Sequence, residues 1–386
     1  MKADFLPGNA IELLETGAEF FPALVKAIDC AALEVHLQTY IFEPDETGQA
    51  VVAALRRAAR RGVSVYVLVD GFGGRSYAEH LRPKLVADGV RVLMYREEIE
   101  WLSFRRRRLR RLHRKVAIMD RRVAFVGGIN VLNDVDAPDQ THPRYDYAVR
   151  VQGPLLESIY ASTHRIWELV AWASLRRRIH RTAAHPLHTT HCGDLRAAFV
   201  IRDNIRHRRD IEDAYLEAIE SARSEIVLAN AYFLPGRRFR QALTQAAARG
   251  VRVHILLQGR VEYLLLHYAT QALYGSLLKM GIRIYEYHLS FLHAKVAVVD
   301  GHWATVGSSN IDPFSLLLAR EANVVVRDNG FASALRGSLA RAMEHGAKEL
   351  KAEDWKRKSR VRRAANWLAY TAVRLMIGLA GYGGKH

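Results

Sequence analysis

A chain of 386 residues, 49% hydrophobic and 25% charged, is long enough for two cores and too apolar to be disordered throughout. Its 57 Lys and Arg against 40 Asp and Glu give a net charge of +17. Such an excess points to a polyanionic partner, nucleic acid or an anionic membrane surface, without choosing between them. Only Cys30 and Cys192 are present, which excludes a zinc site built on cysteines and leaves no basis for a disulfide framework.

In chain order, Met1 to Leu6 lacks the basic start and apolar run of a signal peptide. Leu33 to Phe42 reads as a strand holding Tyr40. A helical pattern ends at Gly62, where glycine suits the left-handed position after a helix, and a β-branched strand runs from there to Gly71. Gly89 to Tyr95 is the next strand. Arg105, Arg106, Arg107, Arg108, Arg110, Arg111 and Arg114 then crowd around His113. The stretch Arg176 to Gly193, rich in Arg, His and Thr, reads as a linker.

Beyond the linker the pattern repeats. Glu225 to Leu234, with Tyr232, parallels the Tyr40 strand. Ala247 to Gly259 parallels Ala59 to Gly71, and Gly281 to Tyr287 parallels Gly89 to Tyr95. Alternating helices and strands, given twice, predict an α/β fold: two pseudo-two-fold related α-β-α sandwich lobes with mixed or mainly parallel sheets. The expected divisions are 1–185, 195–350 and a C-terminal segment, 351–386.

Each half closes on the same motif. His113-Arg114-Lys115 continues to Asp120, then Gly127-Gly128-Ile129-Asn130. His293-Ala294-Lys295 continues to Asp300, then Gly307-Ser308-Ser309-Asn310. Both spell H-x-K-x4-D-x6-G-[GS]-x-N. On a strand, His and Lys two residues apart share one face and can reach one ligand. The Gly127 and Gly307 turns let backbone approach an oxyanion, and Asn130 and Asn310 can donate to it. Two halves face to face thus supply what in-line displacement at phosphorus needs. One imidazole attacks, the other protonates the leaving oxygen, and Lys115 and Lys295 stabilise the charge. Asp120 and Asp300 are expected to anchor the motif loops more than to touch substrate.

The paired motifs resemble those of the phospholipase D superfamily. The resemblance implies a phosphohistidine intermediate, no metal or other cofactor, and His113 as nucleophile with His293 as general acid. It also implies a downstream carboxylate orienting each histidine: Glu321, 28 residues after His293, and Asp146, 33 residues after His113 and so displaced by a short insertion. Ser308 has only Gly128 as counterpart. Gly8 to Leu14, Asp146 to Arg150, Ala229 to Gly236 and His302 to Asn310 resemble bacterial cardiolipin synthases of the type lacking N-terminal membrane spans. That implies transfer of a phosphatidyl group onto phosphatidylglycerol at the cytoplasmic face of the cell membrane, by a peripherally bound protein. The partners implied are phosphatidylglycerol, cardiolipin and the membrane surface rather than nucleic acid.

Two features of the residues agree. The Arg105–Arg111 run is placed to bind anionic headgroups beside the first motif. Lys356 to Arg363 followed by Trp367, Leu368, Tyr370, Val373, Leu375, Met376, Ile377 and Leu379 suits a helix lying in a membrane interface, with no spanning helix expected. Tyr263, Leu264, Leu265, Leu266, Tyr268, Leu273 and Tyr274 suit a core stripe or a lipid entrance. The alternatives are a hydrolase or nuclease of the same superfamily and, from another class, a non-catalytic anionic-lipid-binding protein.

Overall fold

Two runs of apolar strands and Gly-ended helices build one topology twice. The computed structural model describes residues 3–97, 110–135, 142–174, 189–313, 315, 318–357 and 359–377. In the first half these are β1 (Leu6–Glu15), α1 (Thr16–Cys30), β2 (Glu34–Thr39), α2 (Glu46–Arg60), β3 (Ser64–Asp70) and α3 (Arg75–His80). They continue with α4 (Arg82–Ala87), β4 (Arg91–Tyr95), β5 (Lys115–Met119), β6 (Val123–Gly127), β7 (Tyr147–Gln152) and α5 (Leu156–Ala173). The second half repeats the plan with β8 (Leu195–Arg202), α6 (Asp210–Ser221), β9 (Glu225–Asn230), α7 (Arg237–Ala248), β10 (Arg252–Gln258) and α8 (Leu264–Lys279). Then come β11 (Arg283–Tyr287), β12 (Lys295–Val299), β13 (Trp303–Gly307), β14 (Glu321–Arg327), a helix at Asn329–Gly346, β15 (Ala347–Glu349) and helices at Ala352–Arg357 and Arg360–Ile377.

Local chemistry explains the boundaries. Asp45 caps α2 by accepting from the Gly48 N–H at 2.8 Å. Gly62 and Gly250 sit at φ +88° and +89° just past α2 and α7, the left-handed positions that glycine reaches without strain.

Among the described residues, fifteen strands form one continuous sheet. Outward from its seam, β1-β7-β6-β5-β2-β3-β4 runs one way and β8-β14-β13-β12-β9-β10-β11 the other, with β15 beyond β11. The seam pairs β1 with β8, Leu6 opposite Ala197. These two strands precede the first helix of each half and lie outside the segments that repeat in the sequence. The sheet is mixed. Parallel pairing is confined to β2-β3-β4 and β9-β10-β11, since tight turns join β5 to β6 and β12 to β13 and force antiparallel neighbours.

Each half has its own core, and a third core is shared. Val116, Val149 and Leu155 of the first half lie in one buried cluster with Val296, Val324 and Leu339 of the second. β6 packs on β13 and β14, and β7 on β13. This contact brings the starts of β5 and β12, and with them both histidines, to one place.

At the C-terminus, the helix Arg360–Ile377 packs on α8. It buries Asn366 and Val373 and leaves Trp367, Leu368, Leu375 and Met376 exposed. The α8 stripe divides likewise: Leu273 and Tyr274 are core, whereas Tyr263, Leu264 and Leu265 are exposed. No helix among the described residues is long and apolar enough to cross a membrane.

Candidate active site

The motif aspartates settle first, because they lie at the far end of the strands from the histidines. Asp120 and Asp300 each occupy the first left-handed position of a hairpin turn, at φ +51° and +52°. Asp120 accepts from the backbone N–H groups of Ala32, Leu33 and Glu34 at 2.7–2.9 Å. Asp300 does the same for Arg223, Ser224 and Glu225 at 2.8–3.0 Å. Seven residues of extended chain separate each from its histidine, roughly 23 Å. Asp300→Ala is therefore expected to cost about 2 kcal/mol of folding stability, read from chemical denaturation, with kcat within about twofold of the parent.

The histidines are held across the pseudo-two-fold, and here the expected pairing is corrected. Nδ1 of His113 lies 3.0 Å and 3.1 Å from the two carboxylate oxygens of Glu321. Nδ1 of His293 lies 2.5 Å from Asp146 Oδ2. Each carboxylate thus orients the histidine of the opposite half. The cause is the way the chain crosses between halves at its approach to each motif. The His113 and Arg114 N–H groups donate to Arg320 O, and Arg320 N–H donates to Arg111 O. In mirror fashion Tyr145 N–H donates to Phe291 O, and His293 N–H to Tyr145 O.

Nor is Asp146 displaced. β7 pairs with β6 through Gly127 and Ala148, as β14 pairs with β13 through Gly307 and Asn323. Asp146 and Glu321 therefore occupy equivalent positions, and the extra residues belong to the loop before β7. What differs is the space around them. A Cβ on Gly128 would lie 2.4 Å from Asp146 Oδ1, so the missing side chain admits the shorter carboxylate. Ser308 instead donates its hydroxyl to Glu321 Oε2 at 2.6 Å. The glycines of the motif are accordingly filled by protein rather than opened to an oxyanion. A Cβ on Gly127 would meet Ala148 Cα at 2.5 Å, and one on Gly307 the Asn323 amide.

Both lysines are buried. Lys115 donates to its neighbour's carbonyl, His113 O, at 2.6 Å. Lys295 donates to His293 O and lies 3.4 Å from Asp146 Oδ2. Burial, helped by the facing Lys295, pushes the Lys115 ammonium down to about 7. Burial also pushes Lys295 to about 8, against the pull of Asp146. His113 is lowered by burial despite Glu321, and His293 is lowered well below its ordinary value by burial and by Lys295. Burial thus biases both imidazoles toward the neutral form. An arriving phosphodiester supplies the negative charge that allows one to protonate. For the free enzyme, kcat/KM should fall above about pH 7–8 as the lysines lose protons, and on the acid side below 6.5 as His113 gains one. A flat profile from pH 5 to 9 would contradict this.

Of the remaining expected residues, Asn130 accepts from Ile41 N–H at 3.2 Å, and Asn310 is buried with its Oδ1 unpaired among the described residues. The Arg111 guanidinium lies over the Phe72 ring, and Arg110 is also placed. Arg105 to Arg108 lie outside the described residues. Four residues around the histidines escaped the motif search. Tyr40 packs its ring 4.9 Å from that of His113, with Lys115 Nζ 5.5 Å above it. Buried Asp70, pushed up to about 6 by desolvation, accepts from Leu112 N–H at 2.7 Å. Gln258 accepts from Leu292 N–H in the same way at 3.2 Å. Buried Arg114 clamps Gln38, Ser162 and Thr163, tying the first motif to β2 and α5. The repeat offered the signal for two of these, Tyr40 with Tyr232 and Asp70 with Gln258.

Two imidazoles, each tethered at Nδ1 by a carboxylate and so presenting Nε2, above two buried lysines, define a phospholipase D-type phosphodiester site. Comparisons place the chain more narrowly. The model of the family described as cardiolipin synthase, PLD-like domain, matches residues 24–134 and 215–343. The chain is 40% identical over 341 residues to cardiolipin synthase B of Escherichia coli K12, covering 88% of this chain and 81% of that one. It is 40% identical over 352 residues to cardiolipin synthase B of Salmonella typhi, with coverages of 91% and 84%. The crystal structure of phosphatidylserine synthase from Haemophilus influenzae shares the fold, with a TM-score of 0.73 at 15% identity over 97% of each chain. The chain belongs to the cardiolipin synthase family of the phospholipase D superfamily and is an enzyme of phosphatidyl transfer.

Proposed function

We propose that this protein makes cardiolipin at the surface of an anionic membrane, using His113 as nucleophile. The observation that carries the reading is the crossed pair His113–Glu321 and His293–Asp146 over Lys115 and Lys295. Nε2 of His113 attacks the donor phosphorus, the bond to the headgroup oxygen breaks, and His293 gives that oxygen a proton. The phosphatidyl group is then held through a P–N bond. A hydroxyl of phosphatidylglycerol next gives its proton to His293 and attacks phosphorus, and the P–N bond breaks. The lysines carry the non-bridging charge in both steps.

The lobes 1–185 and 195–350 act as one catalytic unit in this reading, and the segment 351–386 assists at the membrane. Support comes from the net charge of +17 and from exposed Trp367, Leu368, Leu375 and Met376. A peripheral position on the cytoplasmic face, with phosphatidylglycerol as acceptor and no metal or cofactor, completes the proposal. Incubation with phosphatidylglycerol vesicles tests it. Cardiolipin and free glycerol should appear together, whereas DNA cleavage with inert lipid would overturn it.

A further inference from the structure

Two guanidinium–phenylalanine clusters flank the paired motifs, and the pseudo-two-fold relates them with their residue types exchanged. In the first half Phe72 follows β3 and Arg111 precedes Leu112-His113, and Arg111 Cζ lies 5.0 Å from the Phe72 ring centre. In the second half Arg260 follows β10 at the matching position and Phe291 precedes Leu292-His293. Arg260 Cζ lies 5.0 Å from the Phe291 ring centre. A second guanidinium joins each ring, Arg75 at 5.7 Å and Arg144 at 5.3 Å. A cation held against a ring face is fixed in place, and a guanidinium carries several N–H donors in one plane.

Joining two phospholipids requires a site for a second phosphate. One phosphorus reacts; the acceptor's own phosphate survives and lies one glycerol away. In-line displacement brings the acceptor hydroxyl in opposite His113, from the side of His293. The Phe291 cluster stands on that side. Phe291 is two residues from His293, and Tyr145, which follows Arg144, bridges the two by backbone hydrogen bonds at 2.8 Å. Arg144 Nε is buried with no hydrogen-bond partner among the described residues. Its Nη1 lies 3.3 Å from Glu262 Oε1, and Glu262 Oε2 accepts from the Tyr232 hydroxyl at 2.5 Å. Arg144 and Arg260 thus stand against one ring, Phe291, with Glu262 bridging Arg144 to Tyr232.

We propose that Arg144 and Arg260, mounted on Phe291, bind the non-reacting phosphate of the acceptor phospholipid and so favour a phosphate-bearing alcohol over water or free glycerol. The inference rests on the phosphatidyl-transfer reading above and adds the acceptor subsite to it. The Phe72–Arg111 pair, on the His113 side, lies away from the entering alcohol.

The test uses the full chain with phosphatidylglycerol vesicles and labelled glycerol, and follows cardiolipin, phosphatidic acid and glycerol exchange together. Arg260→Gln should lower the ratio of cardiolipin to phosphatidic acid about tenfold, with the ratio of glycerol exchange to hydrolysis kept. Arg260→Lys should recover part of the loss. An unchanged ratio in Arg260→Gln, or an equal fall in all three products, would overturn the subsite and leave the transfer reading standing. A parent enzyme that makes no cardiolipin would overturn both.

Discussion

Replacing His113 by Ala is expected to lower phosphatidyl transfer by about 10⁴-fold or more, and replacing His293 by about 10²–10⁴-fold. The difference follows from what each removes. Without His113 no P–N bond can form. Without His293 the bond can still form if the leaving oxygen needs no proton. A phosphatidyl donor with a p-nitrophenol headgroup separates the two. His293→Ala should keep a burst of nitrophenolate with slow turnover, and His113→Ala should give none. Equal bursts from both variants would break the division of labour. Neither half should compensate, because each imidazole depends on a carboxylate from the other: His113 on Glu321 and His293 on Asp146.

The second large effect comes from a residue with no side chain. Gly128→Ser would set a Cβ 2.4 Å and 2.6 Å from the Asp146 carboxylate oxygens. The carboxylate must leave, and His293 then loses the partner that fixes its tautomer. A loss of about 10²–10³-fold in kcat is expected, with KM nearly unchanged, since a misoriented imidazole costs chemistry and not binding. Asp146→Asn on the native backbone should lose a comparable amount without any steric change, which separates the chemical effect from misfolding. Activity within tenfold of the parent in both variants would mean that Asp146 does not orient His293. On the other side, Ser308→Ala removes one hydrogen bond from Glu321 and leaves the carboxylate in place. Its cost should be the smaller, roughly tenfold.

Much of the site was legible because it is written twice. Repeated apolar strands gave the two halves, and repeated spacing singled out His113, Lys115, His293 and Lys295. What stayed hidden depends on contacts between distant residues. The crossed carboxylates could not be read, since Glu321 reaches a histidine 208 positions earlier and spacing along the chain suggests its own half. The insertion before Asp146 looked like displacement, and only strand register shows that a loop absorbs it. Asp120 and Asp300 shared a motif with the histidines, yet their repeated spacing serves a hairpin turn and three backbone N–H groups. The seam strands β1 and β8 escaped because their partners lie in different halves. The Arg and Phe of the two mouth clusters exchange places, so a search for repeated residue types passes over them.

The central claim is that both halves make one site in which His113 carries the phosphatidyl group. Its most direct measurement is to quench the enzyme during turnover of a donor labelled in its phosphate, digest it at alkaline pH, and map the acid-labile label. Label on the peptide containing His113, absent from His113→Ala and retained in His293→Ala when the labelled donor carries a p-nitrophenol headgroup, is the expected result. Label confined to the His293 peptide, or turnover with no phosphohistidine at all, would contradict it.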